Sequence, residues 1–352
     1  MAGLDPQLSG APELAPPRLP RLSWWDRLRR RAGHYPLFSL VAKRLLLGLI
    51  TLLAVAVVIF LATQVLPGNA AYAILGRSAT PDRLQAMEHQ LHLDQSTVAQ
   101  FRTWLSGVLS GHLGTSLANG QPVWGQVSAR LVNSAILVLV AGLLSSVIGI
   151  GLGALAAIRR GGILDKALSV SALGVTALPE FVVAIVLIIL LATNVSHLLP
   201  AVSTLPPGTY AWDLPGSLIL PVMTLIIVTV PYTMRMMRAA TMEALESDYV
   251  ELAMLKGMST RRVVMVHALP NAIAPTVQVV GLNFLYLAGG IVVVEYVFGF
   301  PGIGQGLMNA VQGRDVPVIQ FIVLVLAAFY TLMNIGTDVI SLLATPRRRL
   351  AR

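Results

Sequence analysis

Long apolar blocks alternate along this chain with polar or proline-bearing segments, and the length of the blocks decides the reading. A helix needs about 20 apolar residues to cross the hydrocarbon core of a bilayer. Residues 45–66, 135–158, 167–193, 218–234, 273–293 and 318–343 meet or approach that length. The pattern therefore predicts an all-α integral membrane protein with six transmembrane helices, residues 41–346 forming one membrane domain. The third block contains Pro179 and the short fourth one Pro221 and Pro231, so kinks are expected where proline frees a carbonyl.

The segments between the blocks are unequal. Residues 1–40 are rich in proline and arginine, with Pro6, Pro12, Pro16, Pro17 and Pro20 before Trp24, Trp25 and Arg29 to Arg31. A disordered tail fits that composition. Leu22, Trp25 and Leu28 at helical spacing beside arginines fit equally a short helix on a membrane surface. The 67–133 loop is too long for a simple connection and has helical periodicity over 81–104, which suggests a small folded cap. Residues 194–217 carry Pro200, Pro206, Pro207, Gly208 and Pro215 and read as irregular loop. The Asn194-Val195-Ser196 sequon there reads as accidental. Residues 347–352 are a short basic tail.

Charge then sets the sidedness. Only 12% of residues are charged and 55% are hydrophobic, against about 25% charged in soluble domains. Twenty of the 25 Lys and Arg fall in stretches 1–44, 159–166, 235–272 and 344–352, all on one side if the blocks alternate. Positive charge stays inside, so both termini are expected in the cytoplasm, and the net charge of +9 calls for no nucleic acid. No short apolar core with a cleavage site precedes the first block, so no cleavable signal is expected. Cysteine is absent and the six histidines form no HExxH, so no metal site and no catalytic residue is assigned. No GxxxxGK[ST] phosphate loop occurs, so ATP has no site in this chain.

The segment 235–272 is the one sizeable cytoplasmic loop, and it reads as a helix, a turn and a second helix. Asp248 with Glu251 three residues on suggests a capping box, Lys256 and Gly257 mark a stop, and Ser259 can start the next helix. Tyr249, Leu252, Ala253 and Leu255 would leave apolar surface in water, which suits a partner groove. A loop folded back on its own transmembrane ends is the other reading.

These residues also form a pattern. Glu251-Leu252-Ala253, Gly257 and Leu269-Pro270 have the spacing of the E-A-A-x3-G-x9-I-x-L-P signature and resemble binding-protein-dependent ABC permeases, with Leu252 and His267 departing from it. Leu66-Pro67-Gly68, Leu93-Asp94-Gln95, the run Gly111 to Ser116, the run Val294 to Gly304 and Arg314-Asp315-Val316-Pro317 with Gln320 look like the dipeptide, oligopeptide and nickel branch. Thr345-Pro346-Arg347 stands where Asp-Pro-Arg is common. The resemblance spans about residues 44–348 and implies a type I importer permease fold in the bacterial inner membrane. It further implies a second homologous permease subunit, two cytoplasmic ATPases that bind ATP and Mg, and an external solute-binding protein. Tyr249, Glu251, Leu252, Ala253, Lys256, Gly257, Leu269 and Pro270 are then the candidate ATPase-coupling residues. The solute is left open among peptides, nickel chelates, glutathione and opines.

Within the spans, Glu180 is costly in hydrocarbon unless partnered. It is expected either to border the solute path or to tie helices together. Gln278, Asn283, Tyr286, Asn334 and Asp338 are explained by interhelical hydrogen bonds, and Gly149 with Gly153 by close helix packing. Glu295, Phe298, Pro301 and Gly302 follow the fifth block on the external side and are candidates for an outer gate or a binding-protein contact. A turn with purely backbone demands is the alternative. Of the competing functions, a secondary transporter would require inverted repeats and a midplane ion site, and an intramembrane enzyme a nucleophile and base. Neither emerges.

Overall fold

The structure, a computed structural model, describes residues 36–65, 80–90, 94–193, 198–206 and 208–344. The tail helix at Leu22 to Arg31, the motifs at Leu66 to Gly68 and at Leu93, the sequon at Asn194 and the motif at Thr345 lie outside the described residues. The chain divides into two compact units, residues 1–44 and 45–352, and the helix bundle belongs to the second.

Twelve α-helical segments are described: α1 (Pro36–Val65), α2 (Pro81–Gln90), α3 (Thr97–Leu109), α4 (Val123–Ile158), α5 (Ile163–Thr176), α6 (Glu180–Ile188), α7 (Ile219–Leu245), α8 (Asp248–Leu255), α9 (Thr260–Val263), α10 (Leu269–Phe298), α11 (Ile303–Gln312) and α12 (Val316–Ala344). Five are long and apolar enough to span a bilayer. The bent pair α5 and α6 makes a sixth span if taken as one. Among the described residues there is no strand beyond an isolated bridge from Thr115 to Pro122.

Three boundaries differ from the sequence reading. The second span starts twelve residues early, because α4 already begins at Val123. The fourth is not short: α7 runs through Pro231 to Leu245, past the expected end at Met234, and the loop helix expected before Gly257 follows it as α8. The third is broken, α6 leaving α5 at 105°. Pro179 has no N–H to give and disfavours α geometry in the residue before it. It sits extended at φ −62° and ψ 146°, and α6 starts at the next residue.

The core lies where α4, α6, α7 and α10 meet, around Leu137, Ala141, Ala184, Leu225, Leu287 and Ile291. The GxxxG of α4 faces α7, as close packing requires. A Cβ on Gly149 would come within 2.6 Å of the Thr233 Cβ, and one on Gly153 would meet the Met234 carbonyl. Buried Thr224, Thr229 and Thr241 return their hydroxyls to carbonyls four residues back in α7. Asn283 of α10 reaches the Thr233 hydroxyl of α7 at 2.6 Å. In the second unit α1 shows outward mostly aliphatic side chains, Leu45, Ile50, Leu53, Val58 and Leu61 among them, as a lipid-facing helix does. Part of the long first loop is folded: Phe101 and Trp104 of α3 pack on Phe60 of α1.

Candidate functional site

The loop that follows α7 is stiffened by backbone geometry. Lys256 caps α8, and Gly257 takes the left-handed conformation at φ +80°. The Gly257 N–H then donates to the Met254 carbonyl at 2.9 Å and the Met258 N–H to the Ala253 carbonyl at 3.3 Å. That pair of bonds is a Schellman stop, and Met258 beyond it packs on the small apolar cluster that contains Ala253. No atom crowds Gly257, so it is required there by φ and not by space.

Two expectations for this loop are corrected. Ser247, extended at φ −84° and ψ 149°, holds the cap position in place of Asp248, and no side-chain capping bond forms. The Ser247 hydroxyl instead donates to the Ala244 carbonyl at 2.5 Å, one of the carbonyls that the end of α7 leaves without a helical partner. Asp248 and Glu251 lie in the first turn, where negative charge suits the helix dipole. Ala253 is not on the exposed face. At 8% exposure it joins Val250 and Val263 in a small core closed by Leu245 and Met258.

That core turns the remaining apolar residues outward. Leu255 is 76% exposed, and Leu252, Met254 and Tyr249 are exposed beside it, with Glu251, Lys256 and Gly257. Asn271 donates to the Tyr249 hydroxyl at 3.1 Å and to the His267 carbonyl at 2.8 Å, which ties α8 to the start of α10. Past Gly257 the chain does not turn again at Leu269-Pro270. It runs from α9 through a π-helical turn, Val264–Ala268, directly into α10. Pro270 cannot donate to residue 266, and the wider turn accommodates the missing bond. Leu269 is half-buried and Pro270 exposed.

Two ion pairs brace the same end. Arg238 of α7 grips buried Asp165 of α5 with Nε at 2.5 Å and Nη2 at 2.9 Å, and Asp165 also accepts the Gly161 N–H at 3.0 Å. Arg160 pairs with Glu246 at the surface. Sequence reasoning missed both, since nothing local in Asp165 marks a partner 73 residues away.

The four candidates at the other end of α10 share one polar clamp. Glu295 does not follow the span: α10 continues to Phe298 and stops at Gly299, φ +62°. Glu295 is 0% exposed. Its Oε1 accepts the Ser134 hydroxyl at 2.5 Å, and its Oε2 the Gly304 and Gln305 N–H groups at 2.6 and 3.3 Å. The carboxylate thus closes the start of α11 and has no face left for a soluble partner. A Cβ on Gly302 would collide with that carboxylate. Asn133 donates to the Pro301 carbonyl at 3.1 Å and accepts the Ala211 N–H at 3.0 Å. Arg130 reaches the Gln305 side chain at 3.0 Å. Phe298 is fully buried.

Close by, two of the sequence motifs meet across 199 residues: the Ser116 hydroxyl and, at 3.1 Å, the Leu117 N–H both donate to buried Asp315. Glu180 lies apart from this clamp, at the α5–α6 break, where its Oε1 accepts the Tyr286 hydroxyl of α10.

Five or six apolar spans, a stiff loop presenting apolar side chains and a sealed polar clamp at the far end of α10 define a polytopic membrane protein. Comparison with known proteins supplies the family. Residues 149–350 match the binding-protein-dependent transport system inner membrane component, and residues 37–138 match the N-terminal part of such membrane components. A probable peptide ABC transporter permease protein of Sinorhizobium fredii is 34% identical over 311 residues, covering 88% of this chain and 98% of its own length. A glutathione transport system permease protein of Escherichia coli is 33% identical over 314 residues, covering 89% and 99%. Its counterpart in Salmonella choleraesuis is 34% identical with the same coverage.

The chain belongs to the binding-protein-dependent transport system inner membrane component family. It is the multi-pass membrane subunit of an ATP-driven importer in the cytoplasmic membrane and not an enzyme, ATP being hydrolysed by ATPase partners.

Proposed function

We propose that this chain forms one half of the translocation path of an importer for peptides or small solutes of similar build. A second homologous permease supplies the other half. Two cytoplasmic ATPases carry the ATP and Mg, and an external binding protein delivers the solute. Both termini and the α8 loop face the cytoplasm, in keeping with the placing of Lys and Arg. Peptides are favoured because the relatives are peptide and glutathione permeases, and glutathione is itself a peptide.

The observation that carries the reading is α8. Its inner face is used up in holding the helix to α7 and α9, and its outer face keeps Leu252, Met254 and Leu255 in water. Exposed apolar surface on so short and fixed an element is accounted for by a groove that covers it. Closure of the ATPases then moves α8, and α7 and α10 move with it as a rigid body. Glu251 and Lys256 are placed for polar contacts at the rim.

Leu255→Glu tests this in the co-expressed complex. Membrane insertion is expected to be unchanged, while the ATPases cease to co-purify with the permease. Retention of the ATPases, or transport by this chain alone in liposomes, would overturn the reading.

A further inference from the structure

Glu180 is a polar group used neither by the coupling loop nor by the clamp, and its surroundings differ from the lipid-facing surface of α1. It is half-buried, and the hydroxyl of Tyr286 donates to it. Tyr286 is 48% exposed, and Tyr232 of α7, the helix packed against α10, is 64% exposed. Glu180 lies near the middle of the bent pair α5–α6, Tyr232 near the middle of α7 and Tyr286 near the middle of α10. Along α10 the exposed positions 282, 286, 289, 293 and 296 form one stripe, and it mixes two tyrosines and a glycine with Leu282 and Val293. The exposed face of α1 is mostly aliphatic by contrast. A carboxylate and phenols at bilayer depth belong on a water-filled path or against protein and not against lipid.

We infer that Glu180, Tyr286 and Tyr232 form a cation-accepting station on the solute path, which takes the ammonium group of the passing solute. The inference rests on the importer reading. Three features of the geometry serve such a site. The break at Pro179 starts α6 at Glu180, so the positive end of the α6 dipole holds the carboxylate in place. Gly290 leaves room for the carboxylate, which lies 2.7 Å from where its Cβ would be, and Gly289 beside it opens on empty space. The two exposed phenol rings offer faces that attract an alkylammonium. Binding of this kind is weak enough to release the solute, because the carboxylate already shares its charge with Tyr286.

The absence of cysteine from the chain makes the test direct. In the full complex, Gly289→Cys is labelled with a cationic and an anionic methanethiosulfonate of similar size, with Glu180 intact and with Glu180→Gln. The cationic reagent is expected to react faster, and the ratio of the two rates to fall about fivefold or more with Glu180→Gln, as for loss of one nearby charge in a partly desolvated site. No labelling by either reagent, or an unchanged ratio, would overturn the proposal. Uptake of trialanine into proteoliposomes holding the complex is measured alongside. Glu180→Gln should lower it about tenfold or more, in line with a lost hydrogen bond to a charged group. Glu180→Asp should recover part of the uptake, and ATP hydrolysis stimulated by the binding protein should persist. Equal loss of uptake and of stimulated hydrolysis would mark Glu180 as a structural tie only. If wild type does not import trialanine while the labelling ratio behaves as stated, the peptide reading fails and the cation station stands.

Discussion

At one end of α10, Glu295 is enclosed by Ser134, Gly304 and Gln305. At the other, α8 stands on Val250, Ala253 and Val263 and turns Leu252 and Leu255 into solvent. The first end buries polar groups and satisfies them within the chain. The second exposes apolar groups and leaves them for something else to cover. Buried polar groups with complete partners fix one geometry, whereas an exposed apolar face on a rigid element is an offer of contact. A transport subunit driven from one side needs both: a region that keeps its internal shape, and a region through which an outside force enters.

The largest effect should come from breaking the sealed end. Glu295→Ala leaves the Ser134 hydroxyl and the Gly304 N–H without their acceptor, at about 1–3 kcal/mol for each orphaned group. A marked fall in the melting temperature of the purified subunit is expected, with Glu295→Gln in between because it keeps one carbonyl. A melting temperature equal to wild type would mean that the clamp contributes nothing to stability.

Gly257→Val should act more locally. A β-branched residue forced to φ +80° costs roughly 1–2 kcal/mol, borne by the Schellman stop alone. Membrane insertion and global melting should stay close to wild type, while transport-coupled ATP hydrolysis in the reconstituted complex is abolished. Coupled hydrolysis at the wild-type rate would remove the rigid-lever account of α8.

The smallest effect separates charge from geometry at the braced end. Arg238→Lys keeps a cation beside Asp165 but loses the two-pronged grip, so coupled hydrolysis should fall only in part, and Arg238→Ala should lower it further. Identical behaviour of the two variants would show that the fork is unimportant. The Arg160–Glu246 pair, with both side chains more than half exposed, should tolerate either change, as isolated surface pairs contribute little.

The spans, the importer resemblance and the stop at Gly257 were legible in the amino-acid order because each rests on local rules: length of apolar run, spacing of a short motif, tolerance of one residue for positive φ. The break of the third span was foreshadowed by Pro179, though not its 105° angle. What only the tertiary structure decided concerns which faces meet. Ala253 looked like part of an exposed patch and is instead the inner anchor of the loop. Ser247, not Asp248, holds the cap position by its extended backbone, while its hydroxyl serves the end of α7 instead. Glu295 looked like an external residue and is sealed by Ser134, 161 positions earlier. Glu180 met Tyr286 across 106 positions. Periodicity fixes the face on which a side chain lies, but the partner that face finds depends on how helices distant in sequence pack, and that is settled only when the whole bundle closes.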